Sequence, residues 1–143
     1  MKKILVSACL LGENCKYNGK NNYHPELETM LADAQVLRVC PELLAGFGTP
    51  RPCVELANGV AINAHGESVH AQLCAGVKRA MEAIAGEDIA YAILQSRSPT
   101  CGVKQTYDGT FSGALISGMG LFAQALQAQG IEVRDIEDVL AKE

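Results

Sequence analysis

The chain reads as an α/β protein: a single-domain open parallel sheet of Rossmann-like type, with helices on both faces and a small β-hairpin excursion. Three observations predict this. Apolar runs at residues 3–8, 36–39, 89–94 and 131–133 alternate with stretches of helical periodicity, the pattern of a parallel sheet with right-handed crossovers. The first and third runs are apolar without polar alternation, which suits strands buried on both faces. Asn58-Gly59, set between residues 54–57 and 60–62, is the strongest short-range hairpin signal a sequence offers, and it places that pair outside the parallel sheet. With 143 residues the expected domain is 1–143, long enough to bury roughly two thirds of its unfolded surface.

The elements follow in order. Residues 3–8 form the first strand and run into Gly12. Residues 13–23 are polar and rich in Asn and Gly, so they read as a long ordered loop, a type that usually carries function in a compact domain. His24-Pro25-Glu26 opens a helix with proline in its first position, continued by Leu27, Met30 and Leu31. After the second strand, Pro41 cannot extend a central strand, so Cys40 and Glu42 fall at its C-terminal edge. Gly46, Gly48, Pro50 and Pro52 argue for turns across residues 43–53. Residues 68–85 set Val69, Leu73, Val77, Ala80, Met81 and Ile84 on one face of a helix that Gly86 closes. Residues 89–94 are the third strand, residues 103–112 a polar loop, residues 117–129 a helix ended by Gly130, residues 131–133 the fourth strand and residues 136–141 a final helix. No repeat or linker is visible.

Composition removes several functions. The net charge of -4 shows no basic tract, and no apolar run approaches about 18 residues. Neither a membrane span nor nucleic-acid binding through a basic face is expected. Lys2-Lys3 before an apolar stretch and Cys9 imitates a lipoprotein signal, yet such a signal needs about 7–15 apolar residues and only Ile4, Leu5 and Val6 are present. A cytoplasmic location is the expectation, where six cysteines stay reduced and serve as metal ligands, catalysts or core.

Cys9, Cys40 and Cys101 each follow a strand, so all three fall at the carboxyl edge of the sheet, where open α/β sheets bind ligands. Thiolates prefer zinc, Cu(I) or iron–sulfur clusters over hard ions. The spacing is not the local pattern of a zinc ribbon or bacterial ferredoxin, and two other readings stay open: reduced structural cysteines, or a redox thiol pair such as Cys9 with Cys15, against which the lack of C-x-x-C argues. Cys53 is expected to pack, and Cys74, on the apolar helix, to lie in the core. Lys16 and Arg51 are loop cations of a kind usually solvated, and Tyr17 and Tyr107 could stack on a ring or simply pack. His24, His65 and His70 show no ligand spacing, and the glycines of residues 112–120 make no nucleotide loop.

A set of motifs carries a resemblance. Ser7-Ala8-Cys9-Leu10-Leu11-Gly12, Lys16-Tyr17-Asn18-Gly19, Cys40-Pro41-Glu42, Thr49-Pro50-Arg51-Pro52, Ser98-Pro99-Thr100-Cys101-Gly102 and residues 107–113 together resemble the thiouracil desulfidase family, first catalogued as a domain of unknown function. The resemblance covers nearly the whole chain. It implies a [4Fe-4S] cluster held by three cysteines, matching Cys9, Cys40 and Cys101, with one iron left open as catalytic metal sites keep a position free. The thiocarbonyl sulfur of a thiolated pyrimidine would bind there and water would replace it, without net redox chemistry. By the same resemblance Glu42 is the acid/base and Ser98 the proton relay, although a solvated carboxylate and a Ser-Pro turn are their plain alternatives.

Lys16, Tyr17, Arg51 and Tyr107 become candidate substrate contacts, and Cys15 a neighbour of the cluster or a possible additional ligand that would close it. The expected partner is a small thiolated nucleobase, and the protein a monomer or small homo-oligomer. A cluster with an open iron is oxygen-labile and is expected to be lost in aerobic preparation. The alternative function is a non-catalytic iron–sulfur or sulfur carrier, a small-ligand-binding protein, or a thiol oxidoreductase.

Overall fold

Side chains buried on both faces make β1 (Lys3–Ser7) the centre of the molecule. It pairs in parallel with β2 (Gln35–Val39) on one side and β5 (Ile89–Leu94) on the other, and β8 (Val133–Asp135) lies parallel beyond β5. The order is therefore β2-β1-β5-β8 in the computed structural model, which describes residues 2–141.

Alternation along the strands divides the sheet's side chains between two cores. Leu5, Ala92 and Leu94 pack with Val77 and Ala80 of α3 (His70–Ala83) and with Phe122, Ala123 and Leu126 of α4 (Leu121–Ala128). Val6 and Ile93 pack with Leu27 of α1 (Pro25–Met30) and with Ile136 and Val139 of α5 (Ile136–Ala141). Helices thus cover both faces, and each large side chain buried this way contributes about 1.5–3 kcal/mol. Among the described residues no helix is long and apolar enough to cross a membrane.

The hairpin of β3 (Val54–Ala57) and β4 (Val60–Asn63) forms as expected, antiparallel and outside the main sheet. Asn58 and Gly59 both take positive φ, 51° and 82°, which is what a turn matched to the strand twist requires.

Other segments differ from the sequence reading. β6 (Gln105–Tyr107) and β7 (Leu115–Ser117) pair as a second antiparallel hairpin where a polar loop and the start of a helix were expected. Strands of three residues give too short a window for a period to register, and every residue of β7 is exposed. The following helix accordingly begins at Leu121. Ala8–Leu11 winds into a 3₁₀ turn rather than extending the strand, closed by Gly12 at a φ of 96°.

A four-residue helix, α2 (Pro41–Leu44), replaces the start of the expected turns; it is too short for propensity to specify and is held by packing on α3. The last strand begins two residues late because the Ile131 N–H is spent on the Leu126 carbonyl, closing α4.

Two glycines permit the close packing that shapes the sheet's carboxyl edge. A Cβ on Gly76 would stand 2.3 Å from the Pro41 carbonyl oxygen, so only glycine lets α3 press against α2. A Cβ on Gly120 would stand 2.4 Å from the Thr100 carbonyl carbon, so only glycine lets α4 begin against the segment that carries Cys101.

Candidate functional site

β1 has β2 on one side and β5 on the other, so the strand order turns at β1, and a crevice opens beyond the carboxyl ends at such a point. There a cavity of about 330 Å³ is lined by Cys9, Cys15, Cys40 and Cys101, together with Glu42, Arg51 and Ser98. All three strand-end cysteines therefore reach the expected edge, and a fourth from the polar loop joins them.

Each thiol is delivered by a local structure with its own cause. Cys9 sits in the 3₁₀ turn after β1, and the loop of residues 13–23 folds back over it: Asn22 donates its backbone N–H to the Cys9 carbonyl at 2.9 Å and its amide nitrogen to Sγ at 3.5 Å. Cys40 occupies the position before α2, where the Leu43 N–H donates to its sulfur. Cys101 lies in a turn knotted by Ser98, whose Oγ accepts the backbone N–H groups of Thr100 and Cys101 at 3.0 Å each. The carbonyls of Pro99 and Thr100 in turn accept the first N–H groups of α4, at 2.9 and 2.8 Å.

The thiols differ in proton affinity. Cys15 hydrogen-bonds to Cys40 and Cys9, and these bonds, with burial, hold its own proton far above the ordinary thiol range. The same bonds from Cys15 are the main reason Cys9 and Cys40 are shifted down, aided by Asn22 and the Leu43 N–H respectively. Burial pushes the Cys101 thiol well up, opposed by a hydrogen bond with the Ser7 hydroxyl. Cys9 and Cys40 are thus biased toward thiolate, the form that ligates metal, with Cys15 a thiol donor between them.

Both carboxylate oxygens of Glu42 are held in place. Arg51 Nη2 donates to its Oε1 at 2.9 Å and Thr100 Oγ1 to its Oε2 at 3.0 Å. The Arg51 side chain is only 7% exposed and also donates to the carbonyls of Cys15 at 2.9 Å and Gly48 at 3.2 Å. One guanidinium therefore ties α2, the cysteine loop and the 48–51 turn together, whereas the sequence alone favoured a solvated cation. Ser98 does form the turn its sequence allows, and with both lone pairs of Oγ engaged, its O–H hydrogen remains for a further acceptor.

Lys16, Tyr17 and Tyr107 also line the cavity, Tyr17 exposed at 43% and hydrogen-bonded to Cys53, which raises its phenol pKa. Cys74 is a correction: it is exposed and contacts His70 Nε2 at 3.4 Å, because it stands one residue round from the buried stripe of Leu73, Val77 and Ala80. Asn22, Gln95 and Thr100 line or support the site without having been singled out; Asn22 sits in a run of similar asparagines, and nothing in the sequence distinguishes it from Asn21.

Among the described residues no three His, Cys, Asp or Glu side chains converge tightly enough to hold a single metal ion. The donors of a multinuclear cluster sit at its corners and stand further apart than those around one ion. Four soft sulfurs from separate elements around one cavity fit a cluster of the iron–sulfur type.

Comparison with known proteins bears on the chain as a whole. A family model described as 2-thiouracil desulfurase matches residues 4–138. YbbK of Bacillus subtilis, an uncharacterized protein, is 33% identical over 150 residues, covering 96% of this chain and 99% of that one. The solved structure of a [4Fe-4S]-dependent thiouracil desulfidase superposes with a TM-score of 0.89 at 31% identity, covering 99% of this chain and 95% of that one. The chain belongs to the 2-thiouracil desulfurase family.

Proposed function

We propose that this chain hydrolytically removes sulfur from a small thiolated pyrimidine such as thiouracil, using a [4Fe-4S] cluster held by Cys9, Cys40 and Cys101, with Cys15 as a thiol neighbour. The observation that carries the reading is the meeting, in one cavity, of four cysteine sulfurs with a carboxylate fixed by Arg51 and Thr100. When bound, the cluster supplies a Lewis acid with affinity for sulfur.

The chain's own residues supply the rest. Glu42 has two of its roughly four lone-pair sites occupied, so it can still take a proton from the attacking water. Arg51 and Thr100 keep the carboxylate from rotating away. Ser98, whose oxygen is committed as acceptor to the chain, keeps its O–H to donate to the ring nitrogen beside the carbon that loses sulfur once attack by water at that carbon frees the nitrogen's lone pair. Tyr17 and Tyr107 offer aromatic faces for a planar base. The overall change is C=S plus water to C=O plus hydrogen sulfide, with no electron donor required.

The contact of Cys15 with Cys9 favours a second reading, a thiol oxidoreductase cycling between dithiol and disulfide. Anaerobic reconstitution separates the two. The desulfidase takes up about four irons per chain and releases sulfide from thiopyrimidines. Replacing Glu42→Gln should lower that rate by about 10²–10⁴-fold with iron content unchanged. A protein equally active without iron, or a Glu42→Gln variant as fast as the parent, would sink the reading; a carrier would be indifferent to this substitution.

A further inference from the structure

Among the described residues two buried side-chain polar atoms have no hydrogen-bond partner, Gln95 Oε1 and Arg51 Nε, and both residues line this one cavity. Native proteins leave few such atoms unpaired, and each calls for a physical reason. Arg51 is already held through its two terminal nitrogens. Gln95 is different, because its side chain is held only weakly.

The Gln95 backbone is anchored: its N–H donates at 3.1 Å to Ser7 Oγ, two residues before Cys9. The side-chain amide, by contrast, makes one long contact, from Nε2 to the Ser96 carbonyl at 3.4 Å. Exchanging the amide's oxygen and nitrogen would set two acceptors against each other, so the unpaired atom is an acceptor. The terminal torsion of a glutamine is broad, and turning Oε1 into the cavity sacrifices only that long contact. What would satisfy it is an N–H donor. The carbonyl and thiocarbonyl of a thiopyrimidine only accept, but its ring N–H groups donate.

We propose that Gln95 is a specificity residue whose Oε1 accepts a hydrogen bond from a ring N–H of the pyrimidine, an assignment that rests on the desulfuration reading above. The site would then select bases with a free N–H at that ring position and reject those alkylated there by about 10- to 100-fold, the worth of one hydrogen bond to an otherwise unpaired buried acceptor. Because Gln95 follows β5 directly while Cys9 follows β1, the acceptor and the cluster ligand are set by neighbouring paired strands, which fixes the ring's orientation relative to the sulfur site.

The test measures binding as well as turnover. Reconstituted protein is titrated calorimetrically with uracil, 1-methyluracil and 3-methyluracil, and sulfide release from 2-thiouracil is followed in parallel. The parent is expected to bind one methyl isomer about 10- to 100-fold more weakly than uracil, and Gln95→Leu to reduce that ratio to about one with iron content unchanged, acting on KM more than on kcat. Gln95→Met, which keeps the side chain's length, should behave as Gln95→Leu and guards against a folding defect. Discrimination that survives both substitutions overturns the assignment, as does a parent that binds none of the three bases. Retained, Gln95-dependent discrimination without sulfide release would sink the desulfuration reading and leave Gln95 as the reader of a bound base. Sulfide release with discrimination independent of Gln95 would do the reverse.

Discussion

Ser98 combines two jobs that substitution can separate. Its oxygen ties down the N–H groups of Thr100 and Cys101, so Ser98→Ala removes a turn contact worth about 0.5–2 kcal/mol in comparable caps, as well as the proposed proton donor. Ser98→Thr keeps the hydroxyl and should retain both iron and most activity, whereas Ser98→Ala should lose activity by about 10²-fold or more; iron content and sulfide release measured together check this. Cys15 makes a sharper case. If it is the thiol neighbour, Cys15→Ala keeps about four irons per chain and turnover within tenfold, while a ligand role would lower iron content on the same substitution. Cys9, Cys40 and Cys101 could be picked out because each follows an apolar run, whereas Cys15 could be marked only as a loop neighbour of Cys9. Its meeting with Cys9 and Cys40 depends on how residues 13–23 fold back, which no local periodicity encodes. The anchoring role of Arg51 was hidden for a similar reason: of its three acceptors only Gly48 is local, while Glu42 and Cys15 belong to other segments.

At the scale of elements, legibility followed length. The buried strands β1 and β5, the 14-residue α3 and the Asn58-Gly59 hairpin carry strong local signals and were readable. The 3₁₀ turn at Ala8–Leu11, α2 and the β6–β7 hairpin are each four residues or fewer per segment and owe their form to what they pack against. Two of these short pieces nevertheless place Cys9 and Glu42. Their dependence on neighbours makes Gly120 and Gly76 testable. Gly120→Ala sets a methyl against backbone atoms of Thr100 that cannot turn aside, and should cost about 1–3 kcal/mol, or roughly 3–10 °C in Tm. The strain falls on the Cys101 turn, so iron uptake should fall as well. Gly130→Ala gives the contrast: a Cβ there meets nothing within 4 Å, so its cost is that of a left-handed backbone alone and iron uptake should hold. Equal loss of iron in both variants would show that Gly120 acts through global stability and not through the Cys101 turn.

The proposed ligands cross-link the molecule as a whole. Cys9, Cys40 and Cys101 follow β1, β2 and β5, three of the four strands of the parallel sheet, so a cluster bound to all three is bound only by the folded arrangement. Without it, the Glu42 carboxylate stands close enough to Cys9, Cys40 and Cys101 to oppose the ionisation of their thiols, an electrostatic load on the apo fold. A ligand present at 100 times its dissociation constant stabilises the native state by about 2.7 kcal/mol, which for a chain of this length corresponds to roughly 9 °C. Anaerobic reconstitution should therefore raise Tm by about 9 °C or more, and exposure to oxygen should return it to the apo value as the iron is lost. Cys101→Ala should abolish the shift, because the remaining thiols then tie together only the ends of β1 and β2. Cys74→Ala, on the exposed face of α3, should leave it intact. A shift that persists without Cys101 would mean that Cys9, Cys15 and Cys40 hold the metal by themselves, and the ligand set would have to be redrawn around the loop of residues 13–23.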